Sequence, residues 1–128
     1  MNSVRPLVLI VEDDHVIRLV AINQLKRLAE VDIKLAHNGK EAVDLAKQYR
    51  FALILMDIHM PEMDGLEASR RIRAADRELG RYTPIVAVTA SDSRDHCLLN
   101  GLDDYIQKPA DYQRIVRRWL PSESRKFA

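Results

Sequence analysis

What the chain lacks narrows its options first. Cys97 is the single cysteine, so no internal disulfide can form. No charged leader with an apolar core appears, and no run of about 18 apolar residues that could span a membrane. Charge of one sign is also missing: twenty Lys and Arg face nineteen Asp and Glu, for a net +1, so no bulk charge draws the protein to a polyanion or a lipid surface. Aromatics make up only 5% of residues and do not interleave with basic clusters, and no helix-turn-helix pattern occurs, which excludes direct nucleic-acid binding as the expected role. His15, His37, His59 and His96 sit on separate segments without zinc-like spacing. Repeats and low-complexity tracts are absent. A reducing cytoplasm is the expected location.

What is present is one domain's worth of alternating order. At 128 residues and 47% hydrophobic, the chain can bury about two thirds of its unfolded surface in one core. Short apolar runs rich in Val, Ile and Leu predict strands at about 7–11, 32–36, 51–57, 84–89 and 103–107. Between them lie helical patterns. The first carries a stripe of Ile17, Val20, Ala21, Leu25 and Leu28, and the second Ala42, Leu45, Ala46 and Tyr49. Asn38-Gly39 and Asp64-Gly65 mark turns before the second and third helices, the latter at about 66–75, and ELGRYTP reads as the loop to strand four. Helices follow at about 92–99 and 111–119, then a short polar tail from 121 to 128. Five β/α units with nearly continuous apolar strands indicate an α/β, doubly wound parallel sheet with helices on both faces.

Two of these buried strands finish on acid: LVLIVEDD ends in Glu12, Asp13 and Asp14, and LILMDIHMPEMDG runs into Asp57. A strand-end aspartate commonly serves a turn or a helix cap, and Asp14 is expected to start the first helix in that way. In a doubly wound sheet, however, the working site lies beyond the carboxyl ends of the strands. That edge gathers Glu12, Asp13, Asp57, Thr89 and Lys108, which are three acids, a hydroxyl and an amine. Carboxylates of Asp13 and Asp57 about 5 Å apart would repel by roughly 3 kcal/mol, which a dication would remove. Magnesium suits such a site because it prefers hard oxygen ligands and keeps positions for water and phosphate.

In these residues the chain resembles a response-regulator receiver domain of two-component phosphorelay signalling. The resemblance rests on VEDD (Glu12, Asp13), LILMDIHMPEMDG (Asp57), VTA (Thr89, Ala90) and QKPA (Lys108, Pro109), and covers about residues 5 to 120. It implies a flavodoxin-like sheet of order 2-1-3-4-5 with five helices. It also implies Asp57 as the phosphorylation site, taking a phosphoryl group from a histidine kinase or a histidine phosphotransfer domain. Mg2+ would be held by Glu12, Asp13, Asp57 and the backbone carbonyl of His59. Asp57 acts in this reading as the nucleophile, Lys108 offsets charge, Thr89 hydrogen-bonds a phosphoryl oxygen, and Ala90 leaves room for it.

The resemblance further implies a cis Lys108-Pro109 bond, tuning of hydrolysis by His59 and Ser91, and a Thr89–Tyr105 switch read at the face of helix four, strand five and helix five. No turnover of an external substrate is expected, and no membrane contact by this domain. IHMPEMDG, TPIVAVTA and GLDDYIQKP are similar to receivers of hybrid kinases and phosphorelays, while Ala110 departs from the pattern after Pro109. A free-standing single-domain regulator and a non-phosphorylated pseudo-receiver are the alternatives. A haloacid-dehalogenase-like phosphatase fits less well, because it expects an acid two residues past the nucleophile, where His59 stands. Arg114, Arg117 and Arg118 form a basic stripe on the last helix, read as a solvated face or a partner contact.

Overall fold

The computed structural model describes residues 5–91 and 94–128. Five strands, β1 (Leu7–Val11), β2 (Asp32–Ala36), β3 (Leu53–Met56), β4 (Ile85–Thr89) and β5 (Asp104–Gln107), pair in parallel in the order β2-β1-β3-β4-β5. Helices α1 (His15–Leu28), α2 (Gly39–Gln48), α3 (Gly65–Leu79), α4 (Arg94–Leu99) and α5 (Tyr112–Trp119) connect them. Side chains alternate across the pleat. Leu9, Val11, Ile54, Met56, Ile85 and Ala87 face the apolar layer that holds Ala42, Ala46, Ile72 and Cys97. Val8, Ile10, Leu53, Leu55, Val86 and Val88 face the one that holds Ala21, Leu25, Ile115 and Val116. The three central strands are thus buried on both sides, which is why they read as unbroken apolar runs. The chain leaves β1 for the β2 edge and returns to β3, so the direction of winding reverses between β1 and β3.

The caps fall where short polar residues stand. Asp14 accepts the N–H groups of Val16 and Ile17 at 2.9 and 3.0 Å, Asn38 accepts that of Glu41 at 2.8 Å, Asp64 that of Glu67 at 2.8 Å, and Asp111 that of Arg114 at 3.1 Å. Asp14 therefore has the capping role expected of it.

Four expectations need correction. Helix α3 runs to Leu79, not to about 75, and stops at Gly80 in the left-handed conformation (φ 67°). In the added turn Asp76 is buried and accepts the Thr83 N–H at 2.8 Å beside the Arg81 guanidinium at 3.4 Å. Strand three begins at Leu53 and ends at Met56, which leaves Asp57 just past it. On α1 only Ala21 and Leu25 of the expected stripe are buried, and Ile17 and Val20 open to solvent.

The segment after Pro121 is no free tail. It forms a short 3-10 turn (Ser122–Ser124), the Glu30 N–H donates to Ser124 O at 2.8 Å, the Lys126 N–H donates to Leu28 O at 2.9 Å, and Phe127 packs on the α1/α5 layer. Of the expected fourth helix, Arg94 to Leu99 is helical, and positions 92 and 93 lie outside the described residues.

Candidate functional site

The site grows from the ends of four adjacent strands, β1, β3, β4 and β5. The Asp57 N–H donates to Val11 O at 3.0 Å and the Glu12 N–H to Ala36 O at 3.1 Å, so ladder-type hydrogen bonds continue one residue past β3 and β1 and fix both backbones. The oxygens of Glu12, Asp13 and Asp57 come within 4.8 Å of one another. Glu12 and Asp57 are buried, and Asp13 is exposed. From the next edge the Lys108 ammonium donates to Glu12 Oε1 at 2.7 Å and lies 3.5 Å from Asp57 Oδ1. The Lys108–Pro109 bond is cis, as the resemblance implied, and the Lys108 N–H donates to Thr89 O at 2.9 Å. Glu12, Asp13, Asp57, Thr89 and Lys108 are therefore gathered at one edge.

The electrostatics follow from three acids and one base. Burial first, then the Glu12 charge, pushes the Asp57 carboxyl up to about 7, against the opposing pull of Lys108. Lys108 moves upward as well: burial disfavours its charge, but the hydrogen bond to Glu12 and the charges of Asp57 and Glu12 outweigh it. The cluster is short of positive charge. Three hard carboxylates in reach of one ion, one of them open to solvent, suit a divalent cation that prefers oxygen.

Thr89 is fully buried at the end of β4, and its hydroxyl has no hydrogen-bond partner among the described residues. A buried hydroxyl left unpaired costs about 1–3 kcal/mol, so the site holds a donor in reserve. Ala90 and Ser91 follow, both exposed, and His59 Nε2 lies 3.4 Å from Ser91 O across the mouth. Tyr105 is half-buried on β5, opposite Ala87 of β4, and packs on the α2/α3/α4 layer. The basic stripe on α5 is exposed at Arg114, Arg117 and Arg118, although Arg118 also approaches Asp104.

Sequence reasoning missed three participants. Gly65 looked only like a turn residue, but its N–H donates to Ile58 O at 2.8 Å, and a Cβ there would stand 2.3 Å from Asp57 O. The Asp64-Gly65 pair was the available signal. Arg18 donates to Glu12 O at 2.9 Å across a turn of α1, which no motif announces. A groove of about 800 Å³ also leads from Glu12, Asp57 and Lys108 outward between α1 and α5, past Ile17, Val20 and Tyr112. Ala110 and Tyr112 both pack on the α1/α5 layer, which settles the packing after Pro109.

Known proteins resemble the chain in sequence and in fold. The chain is 32% identical to a probable histidine kinase 1 of Oryza sativa subsp. indica, over 95% of this chain and 16% of that protein. It spans 16% or less of the length of the curated relatives it matches. In structure it is similar to the receiver domain of a sensor histidine kinase from Pseudomonas aeruginosa, with a magnesium ion coordinated in its active site cleft (38% identity, TM-score 0.79, 91% of this chain and 98% of that one). A second similar structure is the receiver domain of the Saccharomyces cerevisiae response regulator Ssk1, solved with the histidine phosphotransfer protein Ypd1 (34% identity, TM-score 0.79, 91% and 89%). The family model described as response regulator receiver domain matches residues 8–119, and on that span the chain belongs to the response-regulator receiver family.

Proposed function

We propose that this receiver takes a phosphoryl group from a phosphohistidine onto Asp57 and passes the change to its surface, as one stage of a relay within or downstream of a hybrid histidine kinase. The observation that carries the proposal is the join of a buried nucleophilic carboxylate to a cation-fitting acid pair, a fixed ammonium and an unpaired buried hydroxyl. A pseudo-receiver kept only for binding has no need of that combination.

Glu12, Asp13, Asp57 and the His59 carbonyl would hold Mg2+, which would supply charge neutralisation for the transferred group. The steps by the chain's own residues follow. An Asp57 carboxylate oxygen forms the new P–O bond as the donor's N–P bond breaks, and the imidazole leaves as the neutral ring once it has a proton. Lys108, anchored by Glu12, holds positive charge toward the oxygens of the transferred group. Thr89 then donates its unpaired hydroxyl to one of them, which removes the cost of leaving it unmet. His59 and Ser91, at the rim, tune how water reaches the acyl phosphate. The similar yeast receiver's complex with a histidine phosphotransfer protein supports the partner class.

The test is phosphotransfer from a labelled phosphohistidine domain. Label should move to this chain with magnesium present and stay on the donor when the metal is chelated. Transfer that ignores chelation would overturn the proposed metal dependence.

The output rests on Thr89 and Tyr105. When Thr89 is drawn to the phosphoryl group it vacates space that the half-buried Tyr105 ring can fill, changing the face of α4, β5 and α5. A charge-assisted hydrogen bond of about 1.5–3 kcal/mol is enough to move a two-state population. Thr89→Ala is therefore expected to accept phosphate yet lose most of the phosphorylation-dependent change in Tyr105 fluorescence quenching or NMR shift. A full response in Thr89→Ala would end this route.

A further inference from the structure

The three carboxylates at the cation-fitting edge are not held alike. Glu12 is pinned by the Lys108 ammonium at 2.7 Å, while Asp57 is buried, with its N–H bonded to Val11 O at 3.0 Å and Lys108 3.5 Å from its Oδ1. Asp13 is exposed, and among the described residues no hydrogen bond or ion pair holds its carboxylate. Its aim is therefore set by the backbone that carries it.

Arg18 of α1 grips that backbone on both sides. Its N–H donates to Asp14 O at 3.0 Å as the first turn of the helix closes, and its side-chain Nη1 reaches back to donate to Glu12 O at 2.9 Å. One residue thus closes a ring around Asp13. The Asp14 N–H donates to Glu12 Oε2 at 3.2 Å within the ring, and Arg18 Nη2 lies 3.3 Å from His15 Nδ1, which steadies the guanidinium against the helix. Burial marks the same residue. Arg18 is half-buried, although Val16, Leu19 and Val20 on the same helix are 67%, 46% and 48% exposed, so this turn draws a charged side chain inward and leaves apolar ones in solvent. A merely solvated arginine would show the reverse.

We infer that Arg18 is a positioning residue for the metal: it holds the backbone from Glu12 to Asp14 so that Asp13, the carboxylate without a brace of its own, is aimed before the ion arrives. The inference rests on the magnesium site proposed above and adds the group that presets it. Magnesium demands near-octahedral geometry at about 2.0–2.1 Å, whereas calcium accepts roughly six to eight oxygens in looser arrangements, so a preset loop favours the smaller ion. Groups that orient a ligand without touching the metal are worth about 10–100-fold in affinity. Charge works the other way. A guanidinium beside a cation site repels the cation, so its removal would by charge alone tighten binding. The opposite signs separate the two effects.

The test is calorimetric titration of magnesium and of calcium into the parent, Arg18→Ala, Arg18→Lys and, as a control, Arg27→Ala, which removes a charge from the last turn of α1. Arg18→Ala is expected to weaken magnesium about tenfold or more and calcium about threefold or less, so that the preference between the ions shrinks. Arg18→Lys keeps the charge but replaces the planar fork by a single ammonium, and should fall between alanine and the parent. Arg27→Ala should bind as the parent does. In the metal-free protein the Asp14 amide should exchange faster in Arg18→Ala while the strands stay protected. The magnesium concentration that half-saturates phosphoryl acceptance should rise in step with the dissociation constant. Alanine is a strong helix former, so α1 is retained, and the lysine variant reads the same shift where alanine does not fold.

Unchanged or tighter magnesium binding in Arg18→Ala would overturn the inference, and so would equal weakening of both ions, which marks a general loss of structure and not a lost aim. A parent chain that binds no magnesium would remove the site and the inference with it. A parent that binds, matched by Arg18→Ala, removes the inference alone.

Discussion

Gly65→Ala is expected to destabilise the fold by about 3 kcal/mol and to slow phosphoryl acceptance about 10²-fold, although the change adds one methyl and touches no charged group. The added Cβ would stand 2.3 Å from the Asp57 carbonyl oxygen, 2.9 Å from Ile58 Cα and 2.9 Å from Met56 Cγ. Two of these three atoms are backbone, so no rotamer change relieves the contact. Either α3 shifts away and strains the 2.8 Å bond from the Gly65 N–H to Ile58 O, or the backbone that aims Asp57 moves. Both outcomes reach the nucleophile. Gly80→Ala is the control: it meets a positive φ of 67° with nothing within 4 Å of the new atom. It should cost about 1 kcal/mol and leave phosphotransfer alone. Thermal melts and single-turnover transfer on both variants check this. Wild-type melting and transfer in Gly65→Ala would show that the close approach does not govern the site.

Asp57→Asn is expected to abolish phosphoryl acceptance and, at pH 8 without metal, to make the protein more stable than the parent. The carboxyl titrates at about 7 in the fold, against an ordinary 3.8, because burial and Glu12 disfavour its charge. Between those pH values the folded chain holds a proton that the unfolded chain has lost. Stability therefore falls as pH climbs from about 4 to about 7, and stays at its lower level above. Asparagine carries no charge to confine. Allowing for solvent screening at the open side of the site and for coupling to Lys108, the gain at pH 8 is about 1–2 kcal/mol. It should vanish near pH 4. Magnesium chloride should raise the melting temperature of the parent far more than that of the variant, since a ligand stabilises only the state that binds it. Melts at pH 4 and 8, with and without magnesium, decide the matter. A variant less stable than the parent at pH 8 would mean that Asp57 is not confined as its surroundings imply.

Both predictions turn on features that differ in how far the sequence reveals them. Strand-end acids announce themselves, because an apolar run stopped by Asp57 or by Glu12 and Asp13 is legible in one dimension. Five strands alternating with helices then dictate the parallel sheet, and the sheet edge gathers Thr89 and Lys108. Gly65 did not stand out, because a glycine after aspartate has a sufficient local explanation as a turn, whereas the atom it must avoid lies eight residues away. The last turn of α3 was hidden for a related reason: Asp76 looks solvated until Arg81 and Thr83 are brought to it. On α1 the apolar periodicity is genuine, yet Val20 lines an open groove, since periodicity reports a face and not what covers it. The segment after Pro121 is polar in composition but held by backbone hydrogen bonds, which no side-chain pattern encodes.

The central claim is that Asp57, and no other carboxylate of the cluster, receives the phosphoryl group. Borohydride trapping tests it most directly, because an aspartyl phosphate is reduced to homoserine while free carboxylates are left intact. The chain would be phosphorylated by a phosphohistidine domain with magnesium, reduced, digested and sequenced by mass spectrometry. Homoserine at position 57, with Glu12 and Asp13 unmodified, is the predicted result. Reduction at Asp13, at Glu12 or nowhere, under conditions in which the donor loses its label to this chain, would contradict it.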